Sequence, residues 1–524
     1  MKKVAVLAVL TAWILVLGPG AASGAVPSVP IDPGEPPASA FAPALAIEAC
    51  ELPGLDRTAR CGTLTVPEDP GNVAGRKIDL HLVVLPARSG TVGRDAVTYL
   101  VGGPGQAAVA GASFFGDSLR GLQEHHDLVL VDQRGTGLSR PLRCELTPNE
   151  LVQAFFSGSV ESSRLEACLA GLDADPALYT TPIAMDDLDA VRAALGYERF
   201  HLVGVSYGSR AALVYARRHP ERVASLVLRG VTSPADNVPV DWLQNGEAAM
   251  EALLVRCEAD RSCGRAYPRL REQLARVLDR LAEKPETIGV DPPTGGAPVE
   301  LEVGVDVFAG ALQLALYGDR GAARVPHLVA RAAEGDFAPF ADLAARTSLA
   351  SGGALSLGMY LSVICAEDVP FYDAAAVETR DWHFQRKTLL ENLAKTCEAW
   401  PSGTVPEGYK HPVVSTAPAL LLSGSADPAT SLRQARDVAR YLPRSRHVIS
   451  PGLGHHPSWT SCFAQITGAF LEGVEPEALD TGCAAEARAT SFLVPTPRWP
   501  WAAFGGLVVV LVVAARRRRA RRRA

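Results

Sequence analysis

The feature that most constrains this chain is an apolar run that ends on a serine held between two glycines, in HLVGVSYGSR at residues 201–210. Where a strand turns sharply into a helix, the side chains two residues before and two residues after the turn collide, and Gly204 and Gly208 remove that collision. Ser206 then projects over the first N–H groups of the helix, which favour negative charge. The pattern predicts a strand, a nucleophilic serine and a helix in succession.

Strands and helices alternate on both sides of this turn. Short apolar or alternating runs predict further strands in KIDLHLVVLPA, AVTYLVGGPG, DLVLVDQRGTG, VASLVLRG, APALLLSG and RHVISPG. Such alternation predicts an α/β fold, with a mostly parallel sheet and helices on both of its faces. Between residues 234 and 412 the apolar residues follow helical spacing instead, so we expect an inserted, mostly helical cap over the carboxyl edge of the sheet.

These patterns divide the chain into eight segments. They are a signal peptide (1–25), a linker (26–45), the first part of the α/β core (46–233), the helical cap (234–412), the second part of the core (413–485), a second linker (486–500), an apolar segment (501–515) and an Arg-rich tail (516–524).

Both ends of the chain resemble targeting segments. The first 25 residues have a charged start, an apolar stretch and small residues suited to cleavage, as in a secretory signal; an uncleaved anchor is the alternative. The apolar segment 501–515 is shorter than the roughly 20 residues of a typical membrane span, but flanking arginines that snorkel would extend it. It predicts a transmembrane anchor with a cytoplasmic tail, or a sorting signal that is later processed. We therefore expect an exported protein, periplasmic or at the cell surface.

Net charge excludes one class of partner. The formal net charge is −6, and it falls to −15 without the nine Lys and Arg side chains of the two terminal segments. A body this acidic argues against nucleic acid as a partner.

The chain contains ten cysteines, an even number that favours disulfides in an exported protein. They fall into neighbouring pairs along the sequence, and we expect each cysteine to pair with its neighbour. Neither a CxxC nor an HExxH pattern is present, so we expect no metal site and no cofactor.

A serine hydroxyl becomes nucleophilic only when a base takes its proton and a third group orients that base. In this kind of fold the acid and the histidine follow the serine in the sequence, each at the end of a later strand. Asp427 follows APALLLSG directly, and His455 lies 28 residues later in PGLGHHPS. The sequence therefore predicts a triad of Ser206, Asp427 and His455, with the adjacent His456 as the alternative base.

The same chemistry needs two hydrogen-bond donors for the negative oxygen of the intermediate. One is predicted to be the backbone N–H of Tyr207, the residue after the nucleophile. The other is assigned to Gly103, with Gly102 as the alternative, because the glycines of LVGGPG let backbone amides approach a substrate closely. Asp132 and Arg134 of DQRGTG are expected to brace this loop rather than to touch substrate.

Taken together, GGPGQAA, DQRGTGLS, DDLDAVRAALG, GVSYGS, SADPAT and GLGH resemble the secreted tripeptidyl aminopeptidases and prolyl iminopeptidase-like serine hydrolases. The resemblance covers most of residues 50–475. It implies the α/β-hydrolase fold with a helical cap, the triad named above, and an exopeptidase that acts on free peptide N-termini. Val101 stands where many prolyl iminopeptidases have a histidine, which shifts the match towards the tripeptidyl group.

An aminopeptidase must also bind the ammonium group of its substrate. Glu367 and Asp368, in VICAEDVPF beside Cys365, are candidate carboxylates for that contact; solvated acids on a cap loop are the alternative. The sequence thus predicts an exported serine aminopeptidase that works through an acyl-enzyme on peptides with a free N-terminus. The alternatives are a carboxylic ester hydrolase with the same triad, and a binding module on a hydrolase scaffold.

Overall fold

A computed structural model describes residues 44–55, 57–90, 93–113, 123–291, 297–344, 355–455 and 461–495. Within these ranges nine strands form one sheet, and two more form a separate hairpin. The strands are β1 (Ala44–Cys50), β2 (Ala59–Pro67), β3 (Lys77–Leu85), β4 (Asp95–Leu100), β5 (Leu128–Val131), β6 (Arg199–Val205), β7 (Val223–Arg229), β8 (Glu286–Val290), β9 (Val299–Val303), β10 (Ala419–Gly424) and β11 (Ser445–Ser450).

The large sheet has the order β1-β2-β3-β5-β4-β6-β7-β10-β11. From β5 to β11 every neighbouring pair is parallel, whereas β1, β2 and β3 join antiparallel at one edge. The predicted mostly parallel α/β sheet is therefore confirmed. The strands β1 and β2 were not predicted, and β1 begins at Ala44, inside the segment interpreted as linker.

The helices, in chain order, are α1 (Pro148–Ser157), α2 (Ser162–Gly171), α3 (Thr181–Leu195), α4 (Tyr207–Arg218), α5 (Val238–Ala259), α6 (Arg261–Ala266), α7 (Leu270–Glu283), α8 (Val305–Ala315), α9 (Asp319–Ala333), α10 (Ala338–Ala344), α11 (Leu357–Glu367), α12 (Ala374–Glu378), α13 (Thr388–Ala399), α14 (Leu432–Ala439), α15 (Ser461–Leu471) and α16 (Gly482–Ala485).

The sheet is buried on both faces because its central strands are apolar at nearly every position. Successive residues of β6 belong to different apolar clusters on the two faces of the sheet. Leu202 lies in the cluster that includes α3, α4 and α14, and Val203 lies in the cluster that includes α15. The helix α3 ends at Gly196, whose φ of 82° lies in the left-handed region that glycine adopts without strain. Helices therefore cover both faces, as predicted, and leave the carboxyl edge of the strands to the cap.

The cap has its own apolar core, built from α5 to α10 together with the hairpin β8–β9. Helical spacing did not predict this hairpin. Helix α1 comes from the first part of the chain, yet Phe156 and Val152 belong to the same apolar cluster. Gly310 of α8 makes room for this contact, because a Cβ there would lie 2.2 Å from the Phe156 ring.

The described part of the second linker, residues 486–495, packs against the cap. The Tyr267 hydroxyl donates to the carbonyl oxygen of Leu493 at 2.8 Å. The N–H of Leu493 donates to the carbonyl oxygen of Ala323 at 2.9 Å. The Arg256 guanidinium lies 4.3 Å from the centre of the Phe492 ring. These contacts connect the end of the core to cap helices α5 and α9 and to the residue that follows α6.

The predicted nearest-neighbour disulfides are confirmed. Within the described residues all ten cysteines are paired, as Cys50–Cys61, Cys144–Cys168, Cys257–Cys263, Cys365–Cys397 and Cys462–Cys483.

The prediction of a transmembrane anchor is wrong for the part of the chain that the structure describes. Among the residues it describes, no helix is both long and apolar enough to span a bilayer. The segment behind that prediction, 501–515, lies outside the described residues. So do the predicted signal peptide (1–25) and the Arg-rich tail (516–524).

One buried ion pair ties the loop after β5 to α3. Arg134 is fully buried and forms two parallel hydrogen bonds to Asp187, at 2.7 and 2.9 Å. Its remaining donors reach the carbonyl oxygens of Glu68 (2.7 Å) and Leu178 (2.9 Å). Every arm of the guanidinium therefore has a partner, which is the condition under which a buried charge is tolerated.

We expect Arg134→Met to destabilise the fold by about 3–5 kcal/mol, because it leaves the Asp187 carboxylate buried and uncompensated. The measurement is the urea midpoint of unfolding. Arg271→Met is the matched control, since Arg271 pairs with Glu251 at the surface, where ion pairs contribute little. Equal shifts for the two variants would contradict this account of Arg134.

Candidate active site

The turn after β6 has the predicted geometry. Ser206 has φ 58° and ψ −127°, a positive-φ conformation that is rare outside glycine. A Cβ on Gly204 would lie 2.3 Å from the carbonyl oxygen of Gly208, and a Cβ on Gly208 would lie 2.0 Å from that of Leu100. Both glycines are therefore required by contact with backbone, and the strained serine stands at the tip of the turn.

Asp427 and His455 meet at the same edge of the sheet. Asp427 follows β10, His455 follows β11, and the His455 Nδ1 lies 2.8 Å from the Asp427 Oδ2. Both residues are buried, at 6% and 1% exposure. The alternative base, His456, lies outside the described residues. The structure thus gives the predicted acid and base the contact that a triad requires, while their catalytic roles stay predictions.

Four donors surround the Asp427 carboxylate. Oδ1 accepts from the N–H of Ala429 (2.7 Å) and of Thr430 (2.8 Å), and Oδ2 accepts from the Thr430 hydroxyl (2.8 Å) as well as facing His455. Burial alone would raise the pKa of this carboxyl, but His455 and the two backbone amides outweigh it and hold the pKa below its usual value. Asp427 is therefore held as an anion, in a position that orients the His455 imidazole.

The imidazole of His455 is held by close contacts on several sides. The ring of Tyr317, at the end of α8 in the cap, packs edge-on against it at 4.7 Å between centroids. Tyr317 is fixed in turn by the indole N–H of Trp242, which donates to its hydroxyl at 3.0 Å. On the core side Gly230, with φ 55°, leaves room for the ring, since a Cβ there would lie 2.6 Å from the His455 Cε1.

The oxyanion loop, residues 102–105, follows β4 and lies against the nucleophile. A Cβ on Gly102 would lie 3.1 Å from that of Ser206, and Gly103 has φ 112°, which strongly favours glycine. Tyr207 is the first residue of α4, so its backbone N–H is among those that a helix leaves without an intrahelical acceptor. Tyr207 and Gly102 adjoin Ser206 directly, and Gly103 is the next residue of the loop; the choice between Gly103 and Gly102 as donor stays a prediction.

The segment after this loop and the loop itself are held by different contacts. The Asp132 carboxylate accepts from the N–H of Val109 at 2.9 Å and of Leu138 at 3.2 Å, so it links the segment that follows the oxyanion loop to the turn after β5; its predicted bracing of residues 102–105 stays a prediction. From the cap, the N–H of Ser356 donates to the carbonyl oxygen of Gly105 at 2.9 Å. Gly105 is required there, because a Cβ would lie 2.7 Å from the Ser356 carbonyl oxygen.

The structure does not support the predicted contact of Glu367 and Asp368 with a substrate ammonium, because both are completely buried and bonded within the protein. Asp368 accepts two bonds from Arg210, at 2.8 and 3.0 Å. Glu367 accepts from the N–H (2.6 Å) and hydroxyl (2.8 Å) of Thr181 and from the Tyr409 hydroxyl. Burial raises the pKa of Glu367, whereas Arg210 and Lys410 outweigh burial and lower that of Asp368.

These two acids instead belong to a polar cluster beneath α4. The Tyr207 side chain enters the same cluster through its hydroxyl, 2.7 Å from that of Thr181. The cluster joins the end of cap helix α11 to the start of α3 and to the helix that carries the nucleophile. Sequence reasoning missed this cluster, because Arg210 lies 158 residues before Asp368 and gave no signal as its partner.

A cavity of about 700 Å³ borders the oxyanion loop. Its lining includes Val101 and Gln106 at the two ends of the loop, Asp132 and Leu138 from the loop after β5, and Leu355 from the cap. The described residues that line it do not include Ser206. The lining is mostly apolar with a few polar groups, as in typical ligand pockets.

Comparisons with known proteins agree with this fold. A family model described as alpha/beta hydrolase fold matches residues 95–253, and one described as TAP-like protein matches residues 383–483. Tripeptidyl aminopeptidase from Streptomyces lividans is 26% identical over 476 residues, covering 83% of this chain and 85% of that protein. Serine protease Hip1 from Mycobacterium tuberculosis is 25% identical over 458 residues, covering 79% and 85%.

More limited similarity extends to proline iminopeptidases. A probable proline iminopeptidase from Streptomyces coelicolor is 33% identical over 188 residues, covering 34% of this chain and 48% of that protein. The crystal structure of proline iminopeptidase from Mycobacterium smegmatis aligns with a TM-score of 0.32 at 17% identity, covering 78% of this chain and 97% of that one. A structural likeness of this size carries no argument about function.

We expect Gly230→Ala to lower kcat/KM at least tenfold, because the added methyl group intrudes on the His455 ring. Gly196→Ala is the matched control: Gly196 also has a positive φ (82°), but nothing lies within 4 Å of its added Cβ. Both variants carry the same kind of backbone strain, about 1 kcal/mol. Steady-state kinetics and thermal midpoints of both check this, and equal losses of activity would contradict it.

Proposed function

Because this chain is a serine hydrolase with the α/β-hydrolase fold, we propose that it is an aminopeptidase that releases short peptides from free peptide N-termini. The observation that carries the proposal is the 2.8 Å bond between Asp427 and His455 at the sheet edge where Ser206 stands on a strained turn. The names of its relatives, tripeptidyl aminopeptidase and serine protease, support a peptide substrate.

The proposed reaction follows from the roles of the three side chains. The Ser206 Oγ attacks the scissile carbonyl carbon while His455 takes the hydroxyl proton. Because the His455 Nδ1 is bonded to Asp427, Nε2 is the nitrogen that takes this proton. The oxygen of the tetrahedral intermediate accepts from the N–H groups of Tyr207 and Gly103. His455 then protonates the leaving amine, the C–N bond breaks, and water hydrolyses the resulting ester of Ser206 by the same steps.

The cavity beside the oxyanion loop is proposed to hold the N-terminal part of the substrate. The leaving amine must lie next to His455, which follows β11 at one side of the nucleophile's strand β6. The cavity lies at the other side, next to the loops that follow β4 and β5. The acyl part of the substrate therefore points towards it, and about 700 Å³ suits a short peptide with apolar side chains.

We also propose that the protein works outside the cytoplasm. Five disulfides form within the described residues, and such bonds persist in oxidising compartments and are rare in the cytosol. Fractionation of cells that produce the full chain tests this, and recovery of the protein with reduced cysteines in the cytosol would contradict it.

The test of function is a digest of a peptide library, read by mass spectrometry. We expect short N-terminal products from peptides with a free amino terminus, and no cleavage of the same peptides after N-acetylation. Ser206→Ala should lower kcat by about 10⁴-fold or more, since triad members act as a unit.

Short acyl esters of p-nitrophenol form the second arm of this test. Hydrolysis of esters without any cleavage of peptides would replace the aminopeptidase proposal with an ester hydrolase. Cleavage of N-acetylated peptides at internal bonds would instead indicate an endopeptidase.

A further inference from the structure

We infer that two side-chain amides of the cap, from Gln313 and Asn245, are positioning residues for the triad acid and act on it through two backbone peptide groups. The inference rests on the proposed function, because it assigns Asp427 the role of the acid. It concerns the turn 427–430, whose backbone N–H groups bond the Asp427 carboxylate. The other end of each of these peptide groups is bonded by the cap.

The first peptide group joins Pro428 to Ala429. Its N–H donates to the Asp427 Oδ1 at 2.7 Å, and its carbonyl oxygen accepts from the Gln313 Nε2 at 2.9 Å. The second joins Ala429 to Thr430. Its N–H donates to the same Oδ1 at 2.8 Å, and its carbonyl oxygen accepts from the Asn245 Nδ2 at 2.8 Å. Two parallel chains therefore run from a cap amide through one peptide group to one carboxylate oxygen.

The cap amides are themselves fixed. Gln313 is fully buried; its Nε2 also donates to the carbonyl oxygen of Trp242 at 2.8 Å, and its Oε1 accepts from the Gln385 side chain. The Asn245 Nδ2 also donates to the Gln434 Oε1 at 2.9 Å. Gly246 gives Gln313 its room, since a Cβ there would lie 2.2 Å from the Gln313 Oε1. Both side-chain amides are therefore held in place where they bond the turn.

Hydrogen bonds in series polarise one another, and more strongly where water is excluded. A donor on the carbonyl oxygen of each peptide group strengthens the N–H at its other end as a donor to Asp427. The same bonds fix the plane of each peptide group, and with it the direction in which the carboxylate faces His455. The positioning of the acid is therefore supplied by helices α5 and α8 of the cap, from outside the α/β core.

A purely structural role predicts something different. If these amides only hold the cap onto the core, their loss weakens substrate binding or stability and leaves the reactivity of Ser206 unchanged. If they position Asp427, their loss slows the reaction of Ser206 with a small reagent that needs no peptide-binding site. A fluorophosphonate is such a reagent, because it reacts at the activated serine itself.

The experiment compares Asn245→Leu and Asn245→Asp with Asn392→Leu and Asn392→Asp in the full chain. Asn392 is a matched control, because its side-chain amide also donates to a backbone carbonyl oxygen, that of Ser157 at 2.8 Å, but away from the acid turn. We expect both Asn245 variants to lower kcat and the rate of fluorophosphonate labelling by the same factor, tenfold or more, with KM changed less than threefold. Both Asn392 variants should label at the wild-type rate.

Labelling of the folded Asn245 variants at the wild-type rate would overturn the inference, and so would a loss seen equally in the Asn392 variants. If the Asn245 variants do not fold, Gln313→Glu decides, because it keeps the acceptor for Gln385 and removes the donor to the carbonyl oxygens of Pro428 and Trp242; it must show the same parallel loss. Failure of the wild-type protein to label at all would instead contradict the proposed function, so the two failures are distinguishable.

Discussion

The rest of the site depends on the bond between the buried Asp427 carboxylate and the His455 imidazole. A carboxylate this far from water is costly unless hydrogen bonds replace its hydration, and the backbone amides and hydroxyl of its own turn supply them. An imidazole fixed in this way lies at the same edge of the sheet as the turn that carries Ser206. The parallel sheet makes the meeting possible, because strands distant in sequence bring their carboxyl ends to one edge.

The cap takes part in this arrangement at four points. Its backbone pairs with the oxyanion loop through Ser356, and its Tyr317 ring packs on His455. Its side-chain amides bond the turn that carries the acid. In addition, Glu367 joins the cap to the helix of the nucleophile through a buried polar cluster. Removal of the cap would therefore disturb the geometry of the triad itself as well as the space for substrate.

The parts of this site that sequence predicts are those set by local rules. The turn at Ser206 needs glycine two residues away on each side, and the cysteines pair with their nearest neighbours. The parts that sequence missed depend on tertiary contacts. Glu367 and Asp368 read as solvated or substrate-facing acids because Arg210, their partner, lies far away in sequence. Helix α1 reads as part of the core although it packs in the cap, and the edge strand β1 is too exposed to show a clear apolar pattern.

The most direct test of the central claim is the site and rate of covalent labelling by a fluorophosphonate. Peptide mapping by mass spectrometry should find the adduct on Ser206 and on no other serine. His455→Ala should lower the labelling rate by about 10³-fold or more, because the hydroxyl loses its base. An adduct on a different residue, or labelling of the His455→Ala variant at the wild-type rate, would contradict the account.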